Sequence, residues 1–165
     1  MSQLLEGLPP VIARHTRLIV LGSFPGVASL QAGQYYAHPR NHFWPLLAAI
    51  WNVDLLSLSY TQRLEHIRAR GLGLWDIYAR CQREGSLDTA IEQAQLNDLA
   101  GLRRRAPHLQ AVAHNGGESA RATKHTLALG AAVLILPSTS PANASWSFDR
   151  KLSAWRAAFV QHGIA

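Results

Sequence analysis

The chain has 165 residues, 48% of them hydrophobic, and its 16 basic against 10 acidic side chains give a net charge of +6. This length and hydrophobic content suit one domain, residues 1–165, whose core needs neither a metal nor disulfides. The single cysteine, Cys81, excludes an internal disulfide and leaves no cysteine spacing for zinc or for a four-cysteine iron–sulfur cluster.

Signals for export or membrane insertion are missing from the sequence. No stretch approaches the ~20 apolar residues that span a bilayer, and residues 1–6 place no basic segment ahead of an apolar one. Together with the lone cysteine, this pattern predicts a soluble cytoplasmic protein. The basic charge favours a polyanionic partner such as nucleic acid, although many basic proteins bind none.

Short apolar runs alternate with amphipathic segments along the chain. The apolar runs predict strands at residues 17–21, 73–78, 109–114 and 132–136. The amphipathic spacing predicts helices at residues 43–51, 61–71, about 119–129 and 148–161, with one or two more between 86 and 105. Strands that alternate with helices predict a three-layer α/β sandwich with a central, mostly parallel four-stranded sheet flanked by helices.

Local signals refine parts of this pattern. Residues 1–16, which contain a Pro-Pro pair, are expected to form a leading segment on the surface. Thr61 is the expected N-cap of the second helix and Gly71 its stop. Pro45 fits only in the first turn of the first helix.

The segments that follow the four strands contain most of the polar and aromatic side chains that could bind a ligand. Ligands of parallel α/β sheets bind outside the carboxyl ends of the strands, which predicts a site built from residues 22–44, 76–81, 115–119 and 137–143. The first segment is too long and too aromatic for a linker. Tyr36 is interpreted there as a stacking platform for a base, and Phe43 and Trp44 as the buried start of a helix.

Other polar residues of these segments have two readings each. Asn41 is either a helix cap or a functional residue, and His38 and His42 either act on phosphate or protons or are surface donors. Asp76 ends an apolar strand, where it is either functional or exposed to solvent. The hydroxyls of residues 138–140 suit phosphate or a simple turn into a helix.

Two further stretches, one glycine-rich and one basic, also have both a functional and a structural interpretation. Residues 115–117, Asn-Gly-Gly, form either a phosphate-binding turn or a tight connection between strand and helix. The three arginines at 103–105 are either a solvated helix end or a DNA contact.

Two motifs in these segments resemble the active-site motifs of the uracil-DNA glycosylase superfamily. The first comprises Gly-Ser-Phe-Pro-Gly at residues 22–26 and Tyr-Tyr-Ala-His-Pro-Arg-Asn-His-Phe-Trp at 35–44; the second is Leu-Pro-Ser-Thr-Ser-Pro-Ala-Asn at 136–143. The resemblance spans roughly residues 17 to 160 and is strongest to the hypoxanthine-DNA (deoxyinosine) glycosylase branch. The first motif is also similar to that of the mismatch-specific uracil glycosylases.

Both motifs lack a polar residue that better-known branches of the family use. Phe24 stands where those branches place the Asp or Asn that activates water, and Leu136 where they place the His or Asn that stabilises the leaving base. The deoxyinosine branch shares this loss and relies on the Asn of an Asn-x-Phe-Trp element. The resemblance therefore implies that Asn41 is the catalytic residue.

The resemblance implies a uracil-DNA glycosylase-like fold and a monofunctional DNA glycosylase, a hydrolase of base excision repair that needs no cofactor or metal. It would remove hypoxanthine, and also uracil or xanthine, from double-stranded DNA as a monomer and leave an abasic site. The implied base-binding residues are Ser23, Phe24, Tyr36 and Asp76, and the implied DNA-binding residues are His38, Ser138, Thr139, Ser140 and Asn143. The alternatives are a G:U mismatch-specific uracil glycosylase, a non-catalytic DNA-binding module and an enzyme acting on free nucleosides.

Overall fold

A computed structural model describes residues 3–165 of the chain. The strands are β1 (Leu4–Glu6), β2 (Leu18–Gly22), β3 (Leu72–Asp76), β4 (Tyr78–Gln82), β5 (Glu92–Leu96), β6 (Ala111–Asn115) and β7 (Ala132–Leu136). The α-helices are α1 (Val27–Ala32), α2 (Phe43–Trp51), α3 (Tyr60–Ala69), α4 (Leu102–Arg105), α5 (Gly117–Ala120), α6 (Thr123–Leu127) and α7 (Phe148–Gln161). Three 3₁₀ turns lie at Leu55–Ser57, Asp88–Ala90 and Leu99–Gly101.

Four strands form a parallel sheet in the order β3-β2-β6-β7. Alternate residues of β2 point to opposite faces, with Leu18 and Val20 in one apolar cluster and Ile19 and Leu21 in the other. Helices α2 and α7 cover the first face, and α4 with the segment around Ala122 covers the second. Strands β2, β3 and β6 are buried on both faces, which favours apolar residues at nearly every position, so short apolar runs located them; β7 is partly exposed, yet its apolar run located it as well. The predicted parallel sheet flanked by helices is confirmed.

A second, antiparallel sheet of order β1-β4-β5 was not predicted. The helices expected between residues 86 and 105 are wrong for most of that range, which contains a 3₁₀ turn and β5 before it reaches α4. Strand β5 is exposed along its whole length and exists because β4 pairs with it. Such pairing leaves no apolar periodicity in the sequence. Likewise β1 of the predicted leading segment is fixed by pairing with β4.

Several predicted boundaries also differ. The predicted strand 73–78 divides into β3 and β4, the helix expected at about 119–129 divides into α5 and α6, and α1 lies inside the segment expected to be a loop. The N-cap of α3 is Ser59 rather than Thr61, because Ser59 and Gln62 form a reciprocal capping box. Gly71 follows the end of that helix at φ +79°, as the predicted stop requires. Within residues 3–165, no helix has the length and apolar character to cross a bilayer.

Candidate active site

The carboxyl edge of the parallel sheet opens into a cleft of about 790 Å³. The last residues of the four parallel strands, Asp76, Gly22, Asn115 and Leu136, all line it. The loops after these strands form its walls, together with residues 86–89 of the β4–β5 hairpin. The predicted site residues Ser23, Phe24, Tyr36, His38, Asn41, Asp76, Ser138, Thr139, Ser140 and Asn143 are all brought to this cleft.

Tyr36 is held rigidly at the wall of the cleft. Its ring stacks on Phe43 with centroids 4.1 Å apart and an interplanar angle of 23°. Its backbone has φ +56°, a conformation that side-chain-bearing residues rarely adopt and that occurs where surrounding structure enforces it. Asn115 Nδ2 donates to its hydroxyl oxygen over 3.2 Å. Burial, and secondarily Asp76, raises the pKa of the Tyr36 phenol, which therefore stays neutral.

Phe43 and Trp44 are structural, as predicted. Phe43 is fully buried and Trp44 is 3% exposed. The indole N–H of Trp44 donates to the Tyr35 carbonyl over 3.1 Å, which secures the residue before Tyr36. These two aromatic residues therefore form the rigid support behind Tyr36.

Asn41 caps the start of α2 and also lines the cleft. The helix N-cap residue is His42, but Asn41 Oδ1 accepts from the backbone N–H of Phe43 over 2.9 Å. This bond fixes the orientation of the carboxamide, because only its oxygen can accept. Asn41 Nδ2 makes no hydrogen bond within residues 3–165, and the residue lines the cleft. The capping role thus leaves an N–H donor available to a ligand.

Asp76 is buried, with 5% of the residue exposed, so it is not a polar strand end that faces solvent. Its Oδ2 atom is buried and has no hydrogen-bond partner within residues 3–165. Burial above all, and then the nearby Asp88 carboxylate, raises the pKa of Asp76 to about 7, against an opposing effect of Arg83. At Gly22, opposite on β2, a Cβ atom would lie 2.4 Å from Asp76 Oδ1. A side chain at position 22 would therefore have to displace the Asp76 carboxyl group.

The loop that carries the second motif is fastened by Asn115. Asn115 Nδ2 donates to Thr139 Oγ1 over 3.0 Å, and Asn115 Oδ1 accepts from Thr139 N over 3.0 Å. The Thr139 carbonyl in turn accepts from His42 N over 2.9 Å, so the loop is joined to the start of α2. Thr139, predicted to bind DNA, is only 1% exposed and stabilises this arrangement.

Other members of the loop face the cleft more openly. Ser138 Oγ accepts from Ser140 N over 3.2 Å, and Ser140 Oγ accepts from Ala142 N over 3.1 Å, so both hydroxyl hydrogens are free to donate elsewhere. Asn143 Nδ2 donates to the Ser138 carbonyl over 3.1 Å. Gly116 has φ +97°, and a Cβ there would lie 2.9 Å from Ser138 Cβ. The glycine turn thus permits close packing against this loop.

The two histidines of the first motif lie in different surroundings. His38 lines the cleft, and its Nδ1 accepts from Arg40 N over 3.1 Å. His42 Nδ1 lies 3.2 Å from Lys151 Nζ, and Lys151 is 1% exposed. Burial and then the Lys151 charge lower the pKa of His42, which therefore accepts from the ammonium as a neutral imidazole. Neither member of this pair lines the cleft.

The β4–β5 hairpin supplies a wall that the sequence did not predict. The Ser23 hydroxyl donates to Asp88 Oδ1 over 2.5 Å, and Ser86 Oγ accepts from Val27 N over 2.9 Å. Arg83 donates to the Pro25 carbonyl over 2.6 Å and lies over the Phe24 ring at 5.3 Å. In the sequence, Gly85 followed by Ser86 is a turn signal, and the structure shows a left-handed turn there, with φ +72°.

The arginine stretch at residues 103–105 does not line the cleft. The guanidinium of Arg103 donates to the carbonyls of Leu109 and Leu129, which supports the structural reading of that residue. Within residues 3–165, no group of three or more His, Cys, Asp or Glu side chains is arranged to hold a metal ion.

Comparisons with known proteins identify the family. The model of the uracil DNA glycosylase superfamily matches residues 9–162. The chain belongs to this superfamily. The resemblance read from the two motifs is thereby confirmed, and so is the predicted enzyme class, a hydrolase of N-glycosyl bonds.

Individual relatives cover nearly the whole chain. A protein named hypoxanthine DNA glycosylase from Methanosarcina barkeri is 41% identical over 154 residues, 93% of this chain and 97% of the relative. One of the same name from Methanosarcina acetivorans is 33% identical over the same shares. The solution NMR structure of a protein from Methanosarcina acetivorans superposes with a TM-score of 0.87 at 32% identity, covering 96% of this chain and 98% of that one.

Proposed function

We propose that this glycosylase removes hypoxanthine from deoxyinosine in double-stranded DNA by hydrolysis and leaves an abasic site for base excision repair. The observation that carries the proposal is the placement of the Asn41 amide donor and the Tyr36 ring on one cleft. The names of the two Methanosarcina relatives support hypoxanthine as the first substrate to test. A monomeric state and a cytoplasmic location stay predictions from the sequence.

Base recognition follows from the wall of the cleft. The enzyme extrudes the damaged nucleotide from the duplex, which costs a few kcal/mol and least for a mispaired base. Stacking of the extruded base on Tyr36 stabilises the complex by about 1–3 kcal/mol and offsets part of this cost. Phe24 is 6% exposed and its ring packs against Arg83, so the ring does not serve as a second stacking platform. The backbone N–H groups of Ser23 and Phe24 donate to no backbone carbonyl within residues 3–165 and suit the polar edge of the base.

Asn41 assists the bond cleavage. Breaking the glycosidic bond leaves positive charge on the sugar and negative charge on the departing base. Oδ1 of Asn41 already accepts from the Phe43 N–H, whereas its Nδ2 donor has no partner within residues 3–165. A fixed donor stabilises an anion as it forms, and removing such a donor typically costs 10²–10³ in rate. We therefore assign Asn41 to the leaving base rather than to the activation of water.

The phosphates that flank the lesion bind along the second-motif loop. Ser138 and Ser140 present hydroxyl donors there, while Thr139 and Asn143 hold the loop through their hydrogen bonds. His38 also lines the cleft. Donors of this kind position the DNA without reading its sequence.

The proposed enzyme is monofunctional. A glycosylase that cuts the strand forms a Schiff base through an amine, and neither motif contains a lysine. Lys151 is buried against His42 and does not line the cleft. Strand cleavage should therefore appear only after treatment with alkali.

The test is single-turnover base release from labelled duplexes that contain deoxyinosine, deoxyuridine or no lesion, each followed by hot alkali. We expect alkali-dependent cleavage at deoxyinosine. Cleavage at deoxyuridine alone would move the protein to the G:U mismatch-specific class, and binding without cleavage would make it a DNA-binding module. Unlabelled undamaged duplex is added as a competitor. If it does not inhibit base release, an enzyme that acts on free nucleosides is favoured.

Asn41 is tested with two variants that separate its roles. Asn41→Asp keeps an oxygen acceptor for the Phe43 N–H but lacks the Nδ2 donor, whereas Asn41→Ala loses both. Both variants should bind DNA and lose base release by at least about 10²-fold. Base release by Asn41→Asp near the wild-type rate would contradict the role of the donor.

A further inference from the structure

Asp76 presents an unpaired carboxyl group at the floor of the cleft. The residue is 5% exposed, and its Oδ2 atom is buried without a hydrogen-bond partner within residues 3–165. Its backbone is held in place, because the carbonyl accepts from Asn97 Nδ2 over 2.8 Å and the strand pairs with β2. A buried polar atom with no partner is costly unless a ligand supplies the missing hydrogen bond. The backbone of Asp76 is thus held beside the cleft, while its carboxyl group keeps an unpartnered oxygen.

Burial and the charges around this carboxyl, taken together, disfavour its ionised form. Arg83, whose charge opposes this effect, directs Nε and Nη2 to the carbonyls of Gly85 and Pro25, and its buried Nη1 has no partner within residues 3–165. Asp88, on the hairpin, adds a second negative charge, and Tyr36 is a neutral phenol. Gly22 contributes no side chain. Desolvation and the Asp88 charge both raise the pKa of Asp76.

We propose that Asp76 binds the lesion base as a neutral carboxylic acid, whose O–H donates to the base carbonyl and whose C=O accepts from the adjacent ring N–H. This inference rests on the proposed function and names how its substrate is held. A protonated carboxyl offers one donor and one acceptor side by side. Hypoxanthine presents the complementary pair, the O6 acceptor and the N1–H donor, and uracil presents O4 and N3–H in the same relation.

Ionisation of Asp76 would remove this complementarity. A carboxylate has acceptors only, so it would face the carbonyl oxygen of the lesion with no hydrogen between them. It would also repel the negative charge that develops on the departing base. The active form of the enzyme is therefore the protonated one, and base release should decline as the pH rises through the pKa of Asp76, about 7.

The experiment compares single-turnover base release from deoxyinosine duplex between pH 5.5 and 9 in the wild type, Asp76→Asn and Asp76→Ala. The wild-type rate should fall about tenfold per pH unit above the midpoint, as for loss of one proton. Asp76→Asn keeps a donor beside an acceptor and should lose this falling limb, with a rate at pH 6 within about tenfold of the wild type. Asp76→Ala should be slow at every pH.

Ionisation of the substrate at N1 is controlled within the same experiment, because it would affect the wild type and Asp76→Asn equally. A falling limb of the same midpoint in Asp76→Asn, or an unchanged profile in Asp76→Ala, would overturn the proposal. The variant Asp88→Asn provides a second test in a protein that retains Asp76. Removing the Asp88 charge should move the wild-type midpoint to lower pH, and an unmoved or raised midpoint would count against the proposal.

The proposed function and this inference fail in different ways. If the wild type releases no base from any lesion at any pH, the proposed function is wrong. If the wild type releases hypoxanthine and Asn41→Asp does not, but the profiles of the wild type and Asp76→Asn coincide, then only the role of Asp76 is wrong.

Discussion

Asn115 binds Thr139 through both ends of its carboxamide, although the two residues are 24 positions apart in the chain. Its Oδ1 accepts from Thr139 N and its Nδ2 donates to Thr139 Oγ1, each over 3.0 Å. The same Nδ2 also donates to the hydroxyl of Tyr36. One side chain at the end of β6 therefore joins the two motif loops that form the cleft.

We expect Asn115→Ala to lower the free energy of unfolding by about 1–3 kcal/mol, because it leaves the buried N–H of Thr139 without an acceptor. Thr139→Val is the matched variant, since it removes only the bond between the two side chains and should cost less. Urea unfolding of both single variants and the double variant measures the coupling. A loss below about 0.5 kcal/mol in Asn115→Ala would show that the link does not hold the loop.

We expect Tyr36 to bind the base through its ring, while its hydroxyl only accepts a hydrogen bond from Asn115. Tyr36→Phe keeps the stack on Phe43 and loses only the hydrogen bond from Asn115, so DNA half-saturation in single-turnover assays should change less than about fivefold. Tyr36→Ala removes the platform and should weaken lesion binding by about 1–3 kcal/mol, a factor of roughly 5 to 150. Undamaged duplex should bind both variants equally. If both variants lost lesion binding to the same extent, the effect would belong to the hydroxyl and not to the ring.

Much of this site was predictable from the sequence because its parts lie in order after apolar strands. The carboxyl ends of parallel strands meet at one edge, so Gly22, Asp76 and Asn115 could be placed together from local pattern alone. The two readings of Asn41 could not be separated in the same way. The residue both caps the first N–H of α2 and presents a donor to the cleft.

The unpredicted parts depend on contacts between distant residues. The exposed strand β5 gives no periodic signal, so the hairpin that brings Asp88 to Ser23 was read as helix. Because of that wrong prediction, the sequence did not indicate that Asp88, which contributes to the raised pKa of Asp76, lies near this carboxyl group. The pairing of buried Lys151 with His42 spans 109 positions and likewise leaves no trace in the local pattern.

His114, at the centre of the fold, provides a pH-dependent test of the architecture. It is fully buried on β6, with Nδ1 2.9 Å from Ser119 Oγ and Nε2 2.8 Å from Thr126 Oγ1. The Ser119 hydroxyl donates to the Leu21 carbonyl over 2.6 Å, so it accepts from Nδ1–H. The Thr126 hydroxyl has two acceptors within reach, the Thr123 carbonyl at 3.2 Å and His114 Nε2 at 2.8 Å, and in the neutral ring it donates to the nearer one, Nε2. Burial lowers the pKa of His114, and the folded protein holds it neutral.

The sign of the effect follows from this lowered pKa. Below about pH 6.5 the histidine of the unfolded chain takes up a proton that the folded chain resists. The free energy of unfolding should therefore fall as the pH drops through about 6.5, by up to about 1.4 kcal/mol per pH unit. The raised pKa of Asp76 acts in the opposite direction, because the folded chain there holds a proton that the unfolded chain releases. Urea unfolding of the wild type and His114→Gln at pH 5, 6, 7 and 8 separates the two, since Asp76 contributes equally to both proteins. The difference between the two curves should narrow toward low pH, and parallel curves would show that His114 is not held neutral.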